Sequence, residues 1–221
     1  MIPDPLAGPY LILCEGGNDY AFFKALLRIR NIPDFQIAFP EYPDQHSDGR
    51  NGIGTLLGGL IVKDGFSNLQ GIIVTSDNDD DQNASFRLIQ DQIRQAGKYN
   101  VPARPFEVTK IKDLPSLIVL MLPWNDEPGN LETLCLRSAC DKWPQLAACL
   151  EVYCQCSDVP TWTLTKQSKM RLRCLITATC KQDPNTSLSH IWERQEQFHI
   201  PLDHQCFDNI AKFLKNFATQ L

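Results

Sequence analysis

No apolar run in this 221-residue chain approaches the roughly 18 to 20 residues that a helix needs to span a bilayer, so helical membrane spans are not expected. The first nine residues hold no basic stretch and lead into a short apolar run. No secretory leader is read there, and a cytoplasmic location is expected. An excess of positive charge is also missing. Lysine and arginine total 21 against 26 aspartates and glutamates, for a formal net charge of −5. That balance speaks against a dedicated nucleic-acid-binding module with a broad basic face. It does not speak against an enzyme whose metal ions supply the local positive charge. Histidine is scarce: His46, His190, His199 and His204 are scattered, and none stands with a serine or cysteine in a nucleophile motif.

Cysteine is plentiful, but a zinc pattern is absent. Seven of the nine cysteines fall between 135 and 180, including Cys154-Gln-Cys156, with no repeated pair at zinc-ligand spacing. An odd number of cysteines behind no leader reads as reduced thiols, several of them on apolar helical faces.

What is present is material for a core. Hydrophobic residues make up 43% of the chain, enough for one large domain or a domain with a helical appendage. Apolar runs predict strands at 10–14, 35–39, 69–76 and 117–122, with 106–109 a candidate neighbour of the last. Helical spacing predicts helices at 19–29, 53–62 and 84–96, the third closed by Gly97. Residues 41–50 are polar, hold Pro43 and Asp48-Gly49, and read as a loop. Strand–helix alternation implies parallel pairing through right-handed crossovers. After Pro123 the pattern turns helical, at 131–137, 143–153, 169–179, 187–197 and 206–217, where Trp143, Trp162 and Trp192 are expected to pack. The expected fold is α/β: a mostly parallel sheet of about four strands flanked by helices. Residues 1–125 form its core, and a helical C-terminal half, 126–221, packs on that core and completes the site.

Chemistry gathers at strand ends. LILCEGGNDYAFF, residues 11–23, ends its apolar strand on Glu15 and two glycines, which leave the carboxylate unshielded. GIIVTSDNDDDQN, residues 71–83, runs from apolar residues straight into Asp77, Asp79 and Asp81 at alternate positions. Such carboxylates repel one another, and a hard divalent cation relieves the repulsion. Ligand sites of open α/β sheets lie beyond the carboxyl ends of the strands. Glu15, Asp77 and Asp79 therefore meet if the first and third strands are neighbours. The aspartate spacing also suits the start of an EF-hand loop, but Gln82 stands where that loop needs glycine and Leu88 where it needs glutamate. An acidic helix N-terminus is the other reading of these aspartates, above all of Asp80 and Asp81.

Glu-Gly after a first strand and Asp-x-Asp after a third resemble the Toprim domain of topoisomerases, bacterial primases, small ribonucleases and OLD-type (overcoming lysogenization defect) nucleases. MLPWNDEPGNLETL at 121–134, with its Gly-x-Leu-Glu block, Lys169 before a leucine-containing helix, and FDNIAKFLKNF at 207–217 extend the likeness to small stand-alone bacterial Toprim proteins. Pro-Trp-Asn-Asp departs from the Pro-Asp-Asn common in that family and leaves Asp126 outside the motif. The resemblance implies Mg²⁺ or Mn²⁺ and phosphodiester cleavage. Asp77 and Asp79 would hold the metal, with Asp81 as a further ligand. Glu15 would act as ligand or general acid–base, and Glu132 would complete a second metal site. Lys169, with Lys166 as competitor, would stabilise transition-state charge. Glu132 as a plain helix-start carboxylate and Lys169 as a solvated lysine stay open alternatives. So does an ordinary mixed surface for the basic cluster Lys166, Lys169, Arg171 and Arg173.

The implied substrate is DNA or a structured RNA such as tRNA, and the implied partner is an ABC-type ATPase, in the manner of some anti-phage defence systems. A homo-oligomer stays open. The alternative is a non-catalytic subunit that uses the fold to dock on and regulate its ATPase partner.

Overall fold

The four long apolar runs pair as one all-parallel sheet in the order β2-β1-β3-β4. These are β1 (Tyr10–Leu13), β2 (Phe35–Ala38), β3 (Gly71–Asp77) and β4 (Ser116–Leu122). The computed structural model describes residues 2–3, 5–40, 49–124, 126–192 and 200–221. Most of the expected 41–50 loop, the end of the expected 187–197 helix, His46 and His199 lie outside the described residues.

Alternate side chains of each strand enter two different cores, as the period-2 geometry of a strand requires. Ile12, Ile73, Ile118, Leu120 and Leu122 face one side, and Leu11, Leu13, Ile72, Val74, Val119 and Met121 the other. Both faces are covered, so the strands read as continuous apolar runs rather than alternating ones. The second face is closed by α2 (Ile53–Gly59), which passes into a 3-10 turn at Leu60–Val62, and by α3 (Gln82–Ala96). A Cβ at Gly54 would come within 2.7 Å of the Gln92 carbonyl oxygen, so glycine there lets the two helices touch. Gly97 takes the left-handed conformation that closes α3, at φ 67°.

The first face carries α1 (Gly17–Ile29) together with α4 (Leu131–Lys142), α6 (Leu164–Thr179) and α7 (Asp208–Lys215). Phe22 of α1 stacks near Trp192 and Phe207, with ring centroids 6.0 and 5.6 Å away. The helical half thus shares one continuous core with the sheet. By contrast α5 (Pro144–Gln155), although rich in apolar residues, buries only Cys154.

Several boundaries differ from expectation. Residues 106–109 are not a strand of the sheet: they meet β4 through an isolated antiparallel bridge, Thr109 to Leu117, and through the Phe106 N–H, which donates to the Val119 carbonyl at 2.9 Å. Within 187–192 there is a 3-10 turn, Leu188–His190. The expected 206–217 helix resolves into α7 flanked by two 3-10 turns. Helix α6 starts at Leu164, well before 169, because its first turn has a remote cap. The Thr165 N–H donates to Asp80 Oδ1 at 3.2 Å, across 85 residues of sequence. Trp162, expected in the helical core, stays exposed. Among the described residues no helix is long and apolar enough to cross a membrane.

Candidate metal centre

Strands β1 and β3 are neighbours, in register from Tyr10–Gly71 to Leu13–Val74. Chain connections leave this pair in opposite directions, toward β2 on one side and β4 on the other. It is the switch point at which a doubly wound sheet opens a crevice beyond its strand ends. Glu15 follows β1 and Asp77 ends β3, so both stand at that crevice.

Glu15 is held tightly. Its Oε1 accepts from Arg50 Nε at 2.7 Å, from the Ser76 hydroxyl, and from the Asp77 N–H at 3.3 Å. Asp77 Oδ1 accepts from the Leu131 N–H at 3.0 Å, the first turn of α4. The carbonyl of Asp79 accepts from Gly129 N–H at 2.7 Å and ties the β3 loop to the α4 entry. Gly129 has φ 125°, and a Cβ there would lie 2.5 Å from Thr133 Oγ1, so only glycine fits. Asn130 then caps α4 by accepting from the Thr133 N–H. This brings Glu132 to the same crevice.

The result is a cleft of about 410 Å³ whose wall includes Glu15, Asp19, Asp77, Glu132, Lys169 and Ser189. Sequence reasoning placed Glu15, Asp77, Glu132 and Lys169 in a common site, and the fold does bring these four together. Asp79 stands beside the cleft, its Oδ2 accepting from Arg50 at 3.0 Å and from Ser85 at 3.4 Å. Asp81 does not line it: its Oδ1 accepts from the Ala84 N–H at 3.0 Å and caps α3. Asp80 caps α6 instead.

Three participants were missed. Asp19 closes the first turn of α1 by accepting from the Gly16 N–H at 3.2 Å, and an acid in a helix's first turn looks like a cap and nothing more. Its position four residues past Glu15 was the available signal. Arg50 ended an expected loop, with nothing local to mark it as a partner of two distant carboxylates. Its guanidinium, only 13% exposed, bridges Glu15 and Asp79 and reaches the Asp77 carbonyl at 3.2 Å. Ser189 reaches the cleft from the 3-10 turn Leu188–His190, within a stretch whose helical spacing gave no sign of a site residue.

The carboxylates repel one another in a partly desolvated place. Burial, then Glu15 and Glu132, push Asp19 up to about 8. Burial, then Asp19, Glu15, Glu132 and Asp79, hold Asp77 well above the ordinary carboxylate range. Burial also raises Glu132, against the lowering effect of Lys169. For Arg50, burial acts downward, and the Glu15 and Asp79 carboxylates more than offset it and raise it.

A family model described as "Protein of unknown function (DUF3226)" matches residues 9–219. The chain belongs to that family. The match runs from the start of β1 to beyond α7, so the family's extent includes both the sheet and the helices that supply Glu132 and Lys169. No curated protein and no solved structure matches the chain.

A hard divalent cation suits this place by chemistry and charge. The acidic side chains of the cleft are all oxygen donors, and among the described residues no thiol or imidazole lines it; the repulsion between those carboxylates is what such an ion neutralises. Among the described residues no three acidic, histidine or cysteine side chains converge as a finished metal cage, and Glu15 and Asp79 already share Arg50.

Proposed function

We propose that the chain is a Toprim-type nuclease of the cytoplasm that uses Mg²⁺ or Mn²⁺ to cleave phosphodiester bonds of DNA or RNA. One observation carries the reading. Four carboxylates and a lysine from four separate segments meet at the switch point, where burial and neighbouring carboxylates raise Asp19, Asp77 and Glu132. A core that needed only stability gains nothing by concentrating that repulsion.

Glu15, Asp77 and Glu132 are the residues that would hold the ion, with Asp19 and Asp79 adjoining. A divalent ion there supplies Lewis-acid polarisation of the phosphoryl oxygens and a more acidic water. Lys169, which lines the same cleft as Glu132, offers its ammonium to the negative charge that builds on the phosphoryl group. Arg50 fixes the rotamers of Glu15 and Asp79, and the N-terminal end of α4 favours negative charge in the cleft.

A second reading keeps the fold and drops the catalysis. Val152 and Tyr153 on the outer side of α5 are 61% and 58% exposed, which favours a subunit that docks on a partner, an ATPase in the resemblance above. The deciding experiment is cleavage of plasmid DNA and total tRNA with Mg²⁺ or Mn²⁺ by wild type, Glu15→Ala and Asp77→Asn. The nuclease reading expects cleavage by wild type and a loss of about a hundredfold or more in each variant. Wild-type cleavage untouched by either substitution sinks it. Inert protein that also binds no Mn²⁺ leaves the docking subunit.

A further inference from the structure

Among the tryptophans expected to pack the helical half, Trp192 is buried and Trp143 packs against the core. Trp162 is 43% exposed. It sits at the end of the Val159–Thr161 turn, just ahead of α6. Its backbone is fixed there: Gln167 Nε2 donates to the Trp162 carbonyl at 2.8 Å, and the Trp162 N–H donates to the Val159 carbonyl at 3.0 Å. A partly exposed tryptophan is therefore carried on a hydrogen-bonded backbone.

Its surroundings are specific. Thr161, Trp162, Thr163, Lys166 and Lys169 line a hollow of about 540 Å³. The basic cluster of α6 divides at this point. Arg171 is engaged by Glu151, and Arg173 by the carbonyls of Thr186 and Asn185. Lys166 and Lys169, one turn apart, both line the hollow. Lys169 also lines the acidic cleft, so one ammonium is common to both walls.

An exposed indole beside two ammonium groups suits a ligand that offers a flat π-face and a phosphate at short spacing. Unpaired nucleotides do so. A duplex hides its base faces in the stack and offers only phosphates. An acidic peptide would use the lysines and leave the ring idle.

We propose that this shelf seats an unpaired nucleotide of DNA or RNA. Its base stacks on Trp162, its phosphate lies between Lys166 and Lys169, and the strand continues past Lys169 into the acidic cleft. The substrate of the nuclease is then single-stranded nucleic acid. The direction of the strand rests on the nuclease reading of the cleft, whereas the shelf rests on Trp162 and the lysines.

The test is fluorescence anisotropy with the full chain, with Ca²⁺ replacing Mg²⁺. The probes are labelled single strands of DNA and of RNA, about 12 nucleotides long, and a blunt DNA duplex of the same sequence. The variants are Trp162→Ala, Trp162→Phe and Lys166→Ala, all at exposed positions, with melting temperatures to show that each folds. The shelf predicts that single strands bind more tightly than the duplex. Trp162→Ala should weaken them by about tenfold or more, while Trp162→Phe stays within about threefold of wild type. Lys166→Ala should flatten the salt dependence by roughly one phosphate contact. The DNA and RNA arms distinguish the two sugars. Equal binding of the duplex, or single-strand binding indifferent to Trp162→Ala, overturns the shelf. A parallel cleavage assay with Mg²⁺ or Mn²⁺ separates the two readings. Trp162-dependent binding without cleavage removes the nuclease and keeps the shelf. Cleavage that depends on Glu15 and ignores Trp162 does the reverse.

Discussion

Asp19 contributes more than the cap it forms. With its carboxyl pushed up to about 8 by burial, Glu15 and Glu132, the folded chain keeps a proton that the unfolded chain releases above about pH 4. The folded state therefore binds more protons than the unfolded state between those values, and stability falls as pH rises through that window. Asp77 and Glu132, raised for the same reason, add to the slope. In EDTA the melting temperature should decline from about pH 5 to about pH 8, and Asp19→Asn should flatten that decline. Mg²⁺ should raise the melting temperature more at the upper pH than at the lower, because an ion competes with protons for the same oxygens. A pH-independent melting curve for wild type would mean that the carboxylates are less crowded than drawn. Arg50 and Asp19 were both hidden from sequence reading for one reason. Each has an ordinary local explanation, a loop end and a helix cap, and takes on its second role only from side chains far away in the chain.

Helix starts show the same division between local and remote causes. The end of α3 is legible because Gly97 is its own signal, and the strands are legible because sheets buried on both faces demand apolar runs. The start of α6 was not legible, since Thr163 makes no side-chain cap and Asp80 caps Thr165 from another loop. The adjacency of β1 and β3, on which the site depends, likewise follows from topology and not from either strand. Asp80 tethers the element that presents Trp162, Lys166 and Lys169. Asp80→Ala should cost about 1 kcal/mol, read as a lower denaturation midpoint at unchanged slope. Asp80→Asn, which keeps an acceptor, should recover most of it. Equal midpoints for the alanine variant and wild type would show that α6 starts without this tether.

For the whole molecule, the division into an α/β half and a helical half is one of pattern, not of packing. Ile118, Leu120 and Leu122 of β4 share a core with Leu172, Ile176, Phe207 and Phe213. A fragment of residues 1–125 would keep α1 but lose α4, α6 and α7 from one face of the sheet, with several large side chains at about 1.5–3 kcal/mol each returned to water. That fragment should express as aggregate or as a species without a cooperative thermal transition. A soluble, cooperatively melting 1–125 would show two independent units instead.

Lys169 stands 92 residues after Asp77 in the chain, and at roughly 5–20 residues per second a ribosome needs about 5 to 18 s to cover that distance. Through that interval a nascent chain carries Glu15, Asp19 and Asp77 without Lys169 or the shelf on α6. If the cleft cuts nucleic acid, the producing cell's own transcripts lie beside it while it is incomplete, and the wide scatter of its parts along the gene delays the hazard until synthesis is nearly done.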